Sequence, residues 1–349
     1  MNRQAPNPSS YVLFLNLKSN RHSRSHNYFN GLRNLGISCE WVDIDGLADL
    51  RKIKSKLKNP NDDDPSVVVT SPSHILAIGC LFTFFRRPVL DAGWPLYDGV
   101  ITSRREYGLF GSKLLKTLLI DLLAFQFSKK VLVESEGQKR RISRRYFVPR
   151  RKVSVLLTGF DEARFTDVKR DDTKSSFDVL FRGGAQEEAG LDVLFKSSEL
   201  LINNTNLRLR VVTNNFKPKP GTETSIELVN RYLSDEELQV FFAGADLILG
   251  QLSDHKRLNY TIPHKFFEAA FLSKPYLTSD IGFMNTLADS KLVYTFNAGD
   301  APSLASSIVK IASNRDAAID AGKRLGDWYS KNASQKVLAE RFRKIVCGD

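Results

Sequence analysis

The sequence predicts an α/β protein with two Rossmann-like domains whose parallel sheets face each other across a cleft. Short apolar segments alternate with helical periods along the chain, which is typical of parallel α/β sheets. At 349 residues the chain is too long for one core of usual size. A charged stretch without large apolar residues, 167–176, reads as a linker. We therefore predict an N-terminal domain at 1–165 and a C-terminal domain at 166–333, with a last helix at about 334–349 packing back on the first domain.

The first domain is predicted to alternate strands and helices from its first apolar segment onward. Three successive valines at 67–69 favour a strand, and Gly36 is a typical helix end. The predicted strands are 11–17, 38–44, 66–70, 88–91, 130–134 and 153–157, and the predicted helices are 26–35, 47–57, 73–85 and 113–127. The long irregular stretch 94–112 is expected to be functional, because such loops are uncommon in compact domains.

The second domain repeats the alternation. Strands are predicted at 177–181, 207–213, 225–230, 247–250, from Lys274 onward and at 291–296, and helices at 190–201, 302–313, 315–332 and 334–346. Ser234 and Glu237 have the spacing of a capping box, in which each side chain bonds the backbone amide at the other position. A further helix is predicted to begin at Ile262-Pro263.

Composition places the chain among globular proteins without disulfides. Hydrophobic residues make up 42% and charged residues 26%, and both are ordinary values. Cys39, Cys80 and Cys347 are odd in number and far apart, which fits neither a disulfide framework nor a zinc site and indicates a reducing, cytoplasmic location. No apolar segment is long enough to span a bilayer, and residues 11–17 read as a first strand rather than a signal peptide.

The positive charge is confined to the first half. Residues 1–165 hold 27 Lys and Arg against 15 Asp and Glu, a difference of +12, whereas residues 166–349 hold 24 of each. This asymmetry predicts an anionic partner for the first domain: nucleic acid, an anionic membrane surface or an acidic acceptor. A merely solubilising surface is the alternative. Nucleic acid is disfavoured, because the basic run 139–152 contains only Tyr146 and Phe147 as stacking platforms.

The helix predicted at 113–127 carries a broad leucine face. Leu115, Leu118, Leu119, Leu122 and Leu123 lie on it. Most amphipathic helices of this kind face a protein core. A minority, flanked by Lys and Arg clusters, rest on membranes.

The stretch 259–280 contains the strongest functional signal. Pro263 suits the first position of a helix, so the free amides of His264, Lys265 and Phe266 would point out of the helix start. Such a start binds anions, and Lys265 adds a full positive charge. Glu268, one turn further on, could reach hydroxyl groups. Phosphate beside sugar hydroxyls describes a nucleotide sugar, although an ordinary helix with a solvated Lys265 and Glu268 pair is the alternative.

Two further segments point to the same kind of ligand. Arg182-Gly183-Gly184 follows a predicted strand, where glycines let a ligand approach the backbone closely. Arg257 lies on a polar loop and could contact phosphate, or be solvated. Asp91 is predicted at the carboxyl end of a strand, where sites of open α/β sheets lie, although Asp-x-Gly is also common in turns.

The pattern Asn259, Ile262-Pro263, Lys265, Glu268, Pro275 and Asp280 resembles the donor-binding signature of retaining glycosyltransferases of family 4, which have the GT-B fold. The resemblance implies a nucleotide-diphosphate sugar as donor and a catalytic role for Asp91, Lys265 and Glu268. It implies donor contacts by Arg182, Gly183, Gly184, Arg257, Tyr260, Ile262, Pro263, His264, Lys265 and Glu268.

The same resemblance implies a mechanism and an acceptor side. Transfer would retain the anomeric configuration, the departing phosphate oxygen would help to take the acceptor proton, and neither metal nor cofactor would be required. The acceptor would be a glycan or a lipid-linked sugar, held in part by Asn20, Arg104 and Arg105. A role in cell-surface polysaccharide synthesis is expected, with the protein located peripherally at the inner face of the membrane.

The sequence departs from the signature at three positions. Tyr260 stands where the family usually has its first glutamate, and Gly184 and Ala189 stand where it usually has an arginine and a lysine. These departures favour an alternative function, a catalytically degenerate partner subunit that binds sugar nucleotides. A nucleotide-sugar epimerase and a nucleic-acid-binding protein rank lower.

Overall fold

The computed structural model describes residues 11–18, 23–57, 65–99, 112–165, 176–217 and 225–348. The chain divides into two compact units, Met1–Asp161 with Gln335–Asp349, and Glu162–Ser334. The predicted linker, 167–176, lies almost entirely outside the described residues. None of the described helices combines the length and the apolar character needed to cross a membrane.

The first unit is built on a parallel sheet of six described strands in the order β2-β1-β3-β4-β5-β6. Its elements are β1 (Val12–Leu17), α1 (Ser23–Asn34), β2 (Cys39–Ile44), β3 (Ser66–Val69), α2 (His74–Phe84), β4 (Val89–Gly93), α3 (Ser112–Phe127), β5 (Lys130–Val133), α4 (Glu136–Arg145) and β6 (Val153–Val155). Both faces of the sheet are buried: Leu13 and Leu15 point to one apolar cluster, and Val12 and Phe14 to the other. This explains why its strands are continuous apolar runs.

Two local predictions for the first unit differ from the structure. Residues Leu47–Leu57 form a 3-10 helix rather than an α-helix. Helix α4 lies inside the basic run and was not predicted as a helix. Ser135 caps it, because its hydroxyl accepts a hydrogen bond of 3.1 Å from the amide of Gln138.

The second unit carries another parallel sheet, in the order β12-β11-β10-β7-β8-β9. Its elements are β7 (Phe177–Arg182), α5 (Leu191–Leu200), β8 (Leu207–Thr213), β9 (Ile226–Asn230), α6 (Asp235–Gly244), β10 (Leu247–Leu249), α7 (His264–Phe271), β11 (Tyr276–Ser279), α8 (Phe283–Asp289), β12 (Tyr294–Phe296), α9 (Ala301–Ala312) and α10 (Arg315–Asn332). The predicted capping box is confirmed at α6, where Ser234 and Glu237 bond each other's amides. Helix α8 was not predicted.

The last helix, α11 (Gln335–Cys347), belongs to the first unit. It packs against α1, where the rings of Tyr28 and Phe342 stack at 4.8 Å between centroids. A Cβ on Gly31 would lie 2.8 Å from that of Ala339, so glycine permits the close approach of these two helices.

Candidate functional site

The candidate site lies at the carboxyl ends of β7 and β10 in the second unit. Strand β7 pairs with β8 on one side and with β10 on the other, so the strand order reverses between β7 and β10. In open α/β sheets, ligands bind outside the carboxyl ends of the strands at such a switch point. Arg182 ends β7 and Gly183 follows it, and Gly250 follows β10.

Lys265, near the start of α7, places its amine at this switch point. Its Nζ donates a 3.1 Å hydrogen bond to the carbonyl oxygen of Gly250 and lies 3.6 Å from the ring centroid of Phe181. Only 7% of the residue is exposed. Burial lowers the pKa of Lys265 well below its ordinary value, which the nearby Glu268 opposes and Arg182 reinforces. An anion bound here would favour the charged amine.

Gly183 makes the position of Lys265 possible. Its φ is 156°, and a Cβ placed on it would lie 3.0 Å from Cε and 3.2 Å from Nζ of Lys265. Gly184, the next residue, has a different constraint: a Cβ there would lie 2.4 Å from Oε1 of Gln186, which is the end of a flexible side chain. Gly183 therefore lets the loop after β7 lie close to the amine.

Glu268 lies one turn beyond Lys265 and is 1% exposed. Its Oε1 accepts a 2.7 Å hydrogen bond from Nη1 of Arg182 and lies 3.3 Å from Nδ1 of His264. Burial opposes ionisation of this carboxyl, but the charge of Arg182 and the contact with His264 outweigh it and lower the pKa of Glu268 to about 2. Oε2 is buried and has no hydrogen-bond partner among the described residues, so the carboxylate retains capacity for a ligand hydroxyl.

The start of α7 differs in detail from the prediction. Pro263 precedes the helix, with φ −62° and ψ 138°, rather than occupying its first position. The amide of Phe266 donates a 3.0 Å hydrogen bond to the carbonyl oxygen of Pro263, so the expectation that it is free was wrong. Ile262 is 5% exposed and contributes to the apolar core beneath the turn. One of the three predicted amide donors is therefore used within the turn itself.

Arg257 and Tyr260 lie on the loop before α7. Nη1 of Arg257 contacts Oε1 of Glu188 at 2.6 Å. Tyr260 follows a short 3-10 helix, Lys256–Asn259, and its amide donates to the carbonyl oxygen of Arg257. Arg257, expected to contact phosphate, is thus held by a carboxylate in this structure.

A further ion pair, which the sequence did not indicate, influences the site electrostatically. Nε of Arg164 donates a 2.9 Å hydrogen bond to Oδ2 of Asp235, the first residue of α6. The charge of Arg164 contributes to the low pKa of Glu268, and Arg182 and Glu268 act in turn on Asp235. These four side chains form one charged network within the second unit.

Asp91, expected to face a substrate, has other partners. It lies in β4 and is fully buried. Its Oδ1 accepts from Nε of Arg24 at 2.7 Å and its Oδ2 from the hydroxyl of Ser25 at 2.8 Å. The catalytic role that the resemblance implies for Asp91 stays a prediction, and both of its carboxylate oxygens bind buried side chains. Asn20, Arg104 and Arg105, expected to bind the acceptor, lie outside the described residues.

The sequence analysis also missed two side-chain contributions to the site. Phe181 was treated only as a buried strand residue, yet its ring lies beneath the amine of Lys265. His264 was considered only for its amide, and its ring contacts Glu268. The i,i+4 spacing of His264 and Glu268 was the one local signal for that contact. Within the described ranges, no group of three or more His, Cys, Asp or Glu could hold a metal ion.

No protein-family model matches this sequence, and neither does the sequence of any curated protein. Solved structures do match its fold over almost the whole chain. HepE of Anabaena, in complex with UDP-glucose, superposes with a TM-score of 0.71 at 13% identity, covering 97% of this chain and 100% of HepE.

Two further structures show the same likeness. Sucrose-phosphate synthase of Thermosynechococcus elongatus gives a TM-score of 0.72 at 11% identity, with 97% and 100% of the two chains covered. A glycosyltransferase of Rickettsia africae gives 0.65 at 12% identity, with 97% and 98% covered. The chain therefore has the fold of these proteins, the GT-B fold of two Rossmann-like α/β units with parallel sheets.

Proposed function

We propose that the protein is a retaining glycosyltransferase that uses a nucleotide-diphosphate sugar as donor. One observation carries the proposal: Lys265, Arg182 and Glu268 meet at the switch point of a Rossmann-like sheet. Two cationic side chains there suit a diphosphate, and the buried carboxylate with an unpartnered oxygen suits a sugar hydroxyl. The fold, shared with known glycosyltransferases, supports the same function.

In the proposed reaction, the bond between the anomeric carbon and the donor phosphate oxygen breaks, and a bond to the acceptor hydroxyl forms. Negative charge develops on the departing diphosphate, and the amine of Lys265 and the guanidinium of Arg182 stabilise it. The departing phosphate oxygen takes the acceptor proton, so no strong side-chain base is needed. Glu268 holds the ribose of the nucleotide through Oε2. We propose that this chemistry needs no metal or other cofactor.

UDP is the natural first probe for the donor site. HepE has been solved in complexes with UDP and with UDP-glucose, and its fold matches this chain. The acceptor proposed from the sequence is a glycan or lipid-linked sugar in cell-surface polysaccharide synthesis. A cytoplasmic protein working at the inner face of the membrane would meet such an acceptor, and the basic first half supports this placement.

A second candidate function is a sugar-nucleotide-binding partner subunit without catalytic activity. A specific observation favours it: Arg182 and Arg257, two of the cationic side chains expected to contact the donor, are paired with Glu268 and Glu188. Such pairing weakens their pull on a diphosphate. Binding of nucleotide sugars without turnover would distinguish this function from the first.

Thermal unfolding with a panel of nucleotide sugars, followed by a hydrolysis and transfer assay, tests the proposal. A ligand that binds only the native state must raise the melting temperature. We expect Lys265→Ala and Glu268→Ala each to lower donor turnover at least about tenfold, roughly 1.4 kcal/mol of transition-state binding. Lys310→Ala, on the exposed end of α9, is the matched control and should be neutral. Wild-type turnover in both site variants would refute the assignment.

A further inference from the structure

Three segments of the first unit meet at the amino edge of its sheet: 82–90, 127–131 and 146–153. They lead into β4, β5 and β6 respectively. Hydrogen bonds join them. The amide of Lys129 donates to the carbonyl of Pro88 at 2.7 Å, and Nζ of Lys130 donates to the carbonyl of Arg151 at 3.1 Å. We call the surface that they form the basic aromatic surface.

Side-chain bonds from α3 fix the third segment in place. Nε2 of Gln126 donates to the carbonyl oxygen of Phe147 at 3.2 Å, and Nζ of Lys152 donates to the carbonyl oxygen of Gln126 at 2.7 Å. These hydrogen bonds hold the backbone of this surface against α3, and its exposed side chains extend from that backbone.

Three phenylalanines of this surface are exposed to solvent. Phe82 is 68% exposed, Phe85 89% and Phe147 81%. The ring of Phe82 meets that of Phe127 edge to face, with centroids 6.0 Å apart. Apolar residues continue along the outer side of α3, where Leu119 is 50% and Leu115 68% exposed at successive i,i+4 positions before Phe127. Single exposed apolar residues are ordinary, but several exposed aromatic residues at one end of a sheet indicate an interaction site.

Two of these phenylalanines also have a costly backbone conformation. Phe85 has a φ of 57° and Phe147 a φ of 53°, the left-handed region that favours glycine and asparagine. A bulky side chain there destabilises the fold, and neither ring is buried to offset this. The chain thus keeps two aromatic residues at positions where they destabilise the folded state. This indicates that their rings contact a binding partner rather than the rest of the chain.

The same segments are strongly basic. Residues 82–90, 127–131 and 146–153 contain seven Lys and Arg and no Asp or Glu. These residues are Arg86, Arg87, Lys129, Lys130, Arg150, Arg151 and Lys152. Burial and the positive charge of Arg87 both lower the pKa of Lys152, so the cations act on one another. A nearby anionic surface would relieve this repulsion.

We propose that the basic aromatic surface docks the first unit on an anionic lipid bilayer. Phenylalanine rings would enter the headgroup region, and the surrounding Lys and Arg would bind anionic headgroups. This charge complementarity favours a membrane over a second, equally basic copy of the chain. The inference goes beyond the proposed function, since it assigns the first unit a membrane-binding surface, and that surface leaves the carboxyl ends of the strands of this sheet free.

Flotation with vesicles tests the proposal. We expect the full chain to bind vesicles containing phosphatidylglycerol, to bind pure phosphatidylcholine weakly, and to lose binding as salt rises. The double variant Phe85→Gly/Phe147→Gly should bind at least about tenfold more weakly, because two rings no longer leave water. Its melting temperature should be equal or higher, since glycine adopts a positive φ without strain.

Lys291→Gly is the matched control for the backbone effect. Lys291, in the second unit, has a φ of 55° and is exposed. Its replacement relieves the same strain and removes one charge, but it should leave vesicle binding unchanged.

A second variant, Arg150→Glu/Arg151→Glu, should abolish binding to anionic vesicles while leaving the melting temperature close to that of the wild type.

Two results would overturn the proposal: no binding to anionic vesicles at low salt, or equal binding by the wild type and the double glycine variant. A change of oligomeric state in that variant, with unchanged vesicle binding, would identify a second copy as the occupant instead. UDP binding is measured in parallel. Vesicle binding by Lys265→Ala should equal that of the wild type, so failure of donor binding and failure of membrane docking are separate results.

Discussion

Both units have parallel sheets, but the ion pairs at the carboxyl ends of their strands differ in how far they are exposed to solvent. In the first unit, Arg24 and Asp91 are both fully buried and neutralise each other. In the second unit, the side chain of Arg182 is 27% exposed, and its partner Glu268 keeps one oxygen without a partner. The first pair is fully enclosed by protein, whereas the arginine of the second pair is partly exposed.

The difference shows that a charged residue at the end of a strand does not by itself mark a site. Arg24 also donates to the carbonyl oxygen of Leu156 at 2.8 Å, so it ties α1 to the chain after β6. Burial opposes the charge of Arg24, but Asp91 outweighs it and raises the pKa above its ordinary value. What distinguishes the second edge is the partly exposed side chain of Arg182 beside a buried amine and carboxylate.

The largest loss of stability is expected from removing the charge of Asp91 in the first unit. Asp91→Asn leaves the buried guanidinium of Arg24 without a counter-charge, and such a loss costs about 3–5 kcal/mol of unfolding free energy. Urea unfolding followed by tryptophan fluorescence measures it, with Trp41 and Trp94 in the first unit and Trp328 in the second. The UDP-induced shift, where the variant still folds, should be retained.

Asp320→Asn is the control for this experiment. Asp320 forms an exposed pair with Lys323, and exposed pairs contribute little to stability. If Asp91→Asn were as stable as Asp320→Asn but inactive in transfer, Asp91 would be catalytic after all, and the contrast between the two edges would fail.

A smaller loss of stability is expected from removing the charge of Glu268 in the second unit. Glu268→Gln should cost roughly 2–3 kcal/mol at neutral pH, because Arg182 and His264 stabilise the ionised carboxylate. The folded-state pKa of Glu268 is lowered to about 2 from 4.5, so this stability is present above the ordinary value and is lost as pH falls toward the lowered one. Acid titration of the melting temperature should therefore bring wild type and variant together between about pH 4.5 and pH 2. A gap that does not change with pH would exclude this cause.

Much of the fold followed from local sequence, and the exceptions have physical reasons. Buried parallel strands are continuous apolar runs, so β1 and β7 were predicted almost to the residue. Helix α4 was missed because Ile142 is its one buried aliphatic side chain, which gives no helical period. Helix α8 has seven residues, too few for a period to be detected.

The candidate residues also differ in how far local sequence could predict their contacts. Lys265 and Glu268 could be predicted because they lie one turn apart on a single helix beside a proline. The partners of Asp91 could not be, since Arg24 and Ser25 lie 67 and 66 residues earlier in the chain. Asp91 was predicted to end its strand, whereas β4 continues to Gly93. Only the packing of α1 shows that Arg24 and Ser25 already bind its carboxylate.

The subtlest expected effect concerns the protonation of Lys265. Burial lowers its pKa well below the ordinary value, so at alkaline pH the free protein holds the amine partly uncharged. A bound diphosphate favours the charged form, and UDP binding should therefore take up a proton, with affinity falling as pH rises through the lowered pKa. Calorimetry above about pH 8, in two buffers of different ionisation enthalpy, measures this uptake, since the phosphates of UDP are then fully ionised. Lys265→Met should bind UDP without it; equal uptake in the variant would place the proton elsewhere and remove the amine from the site.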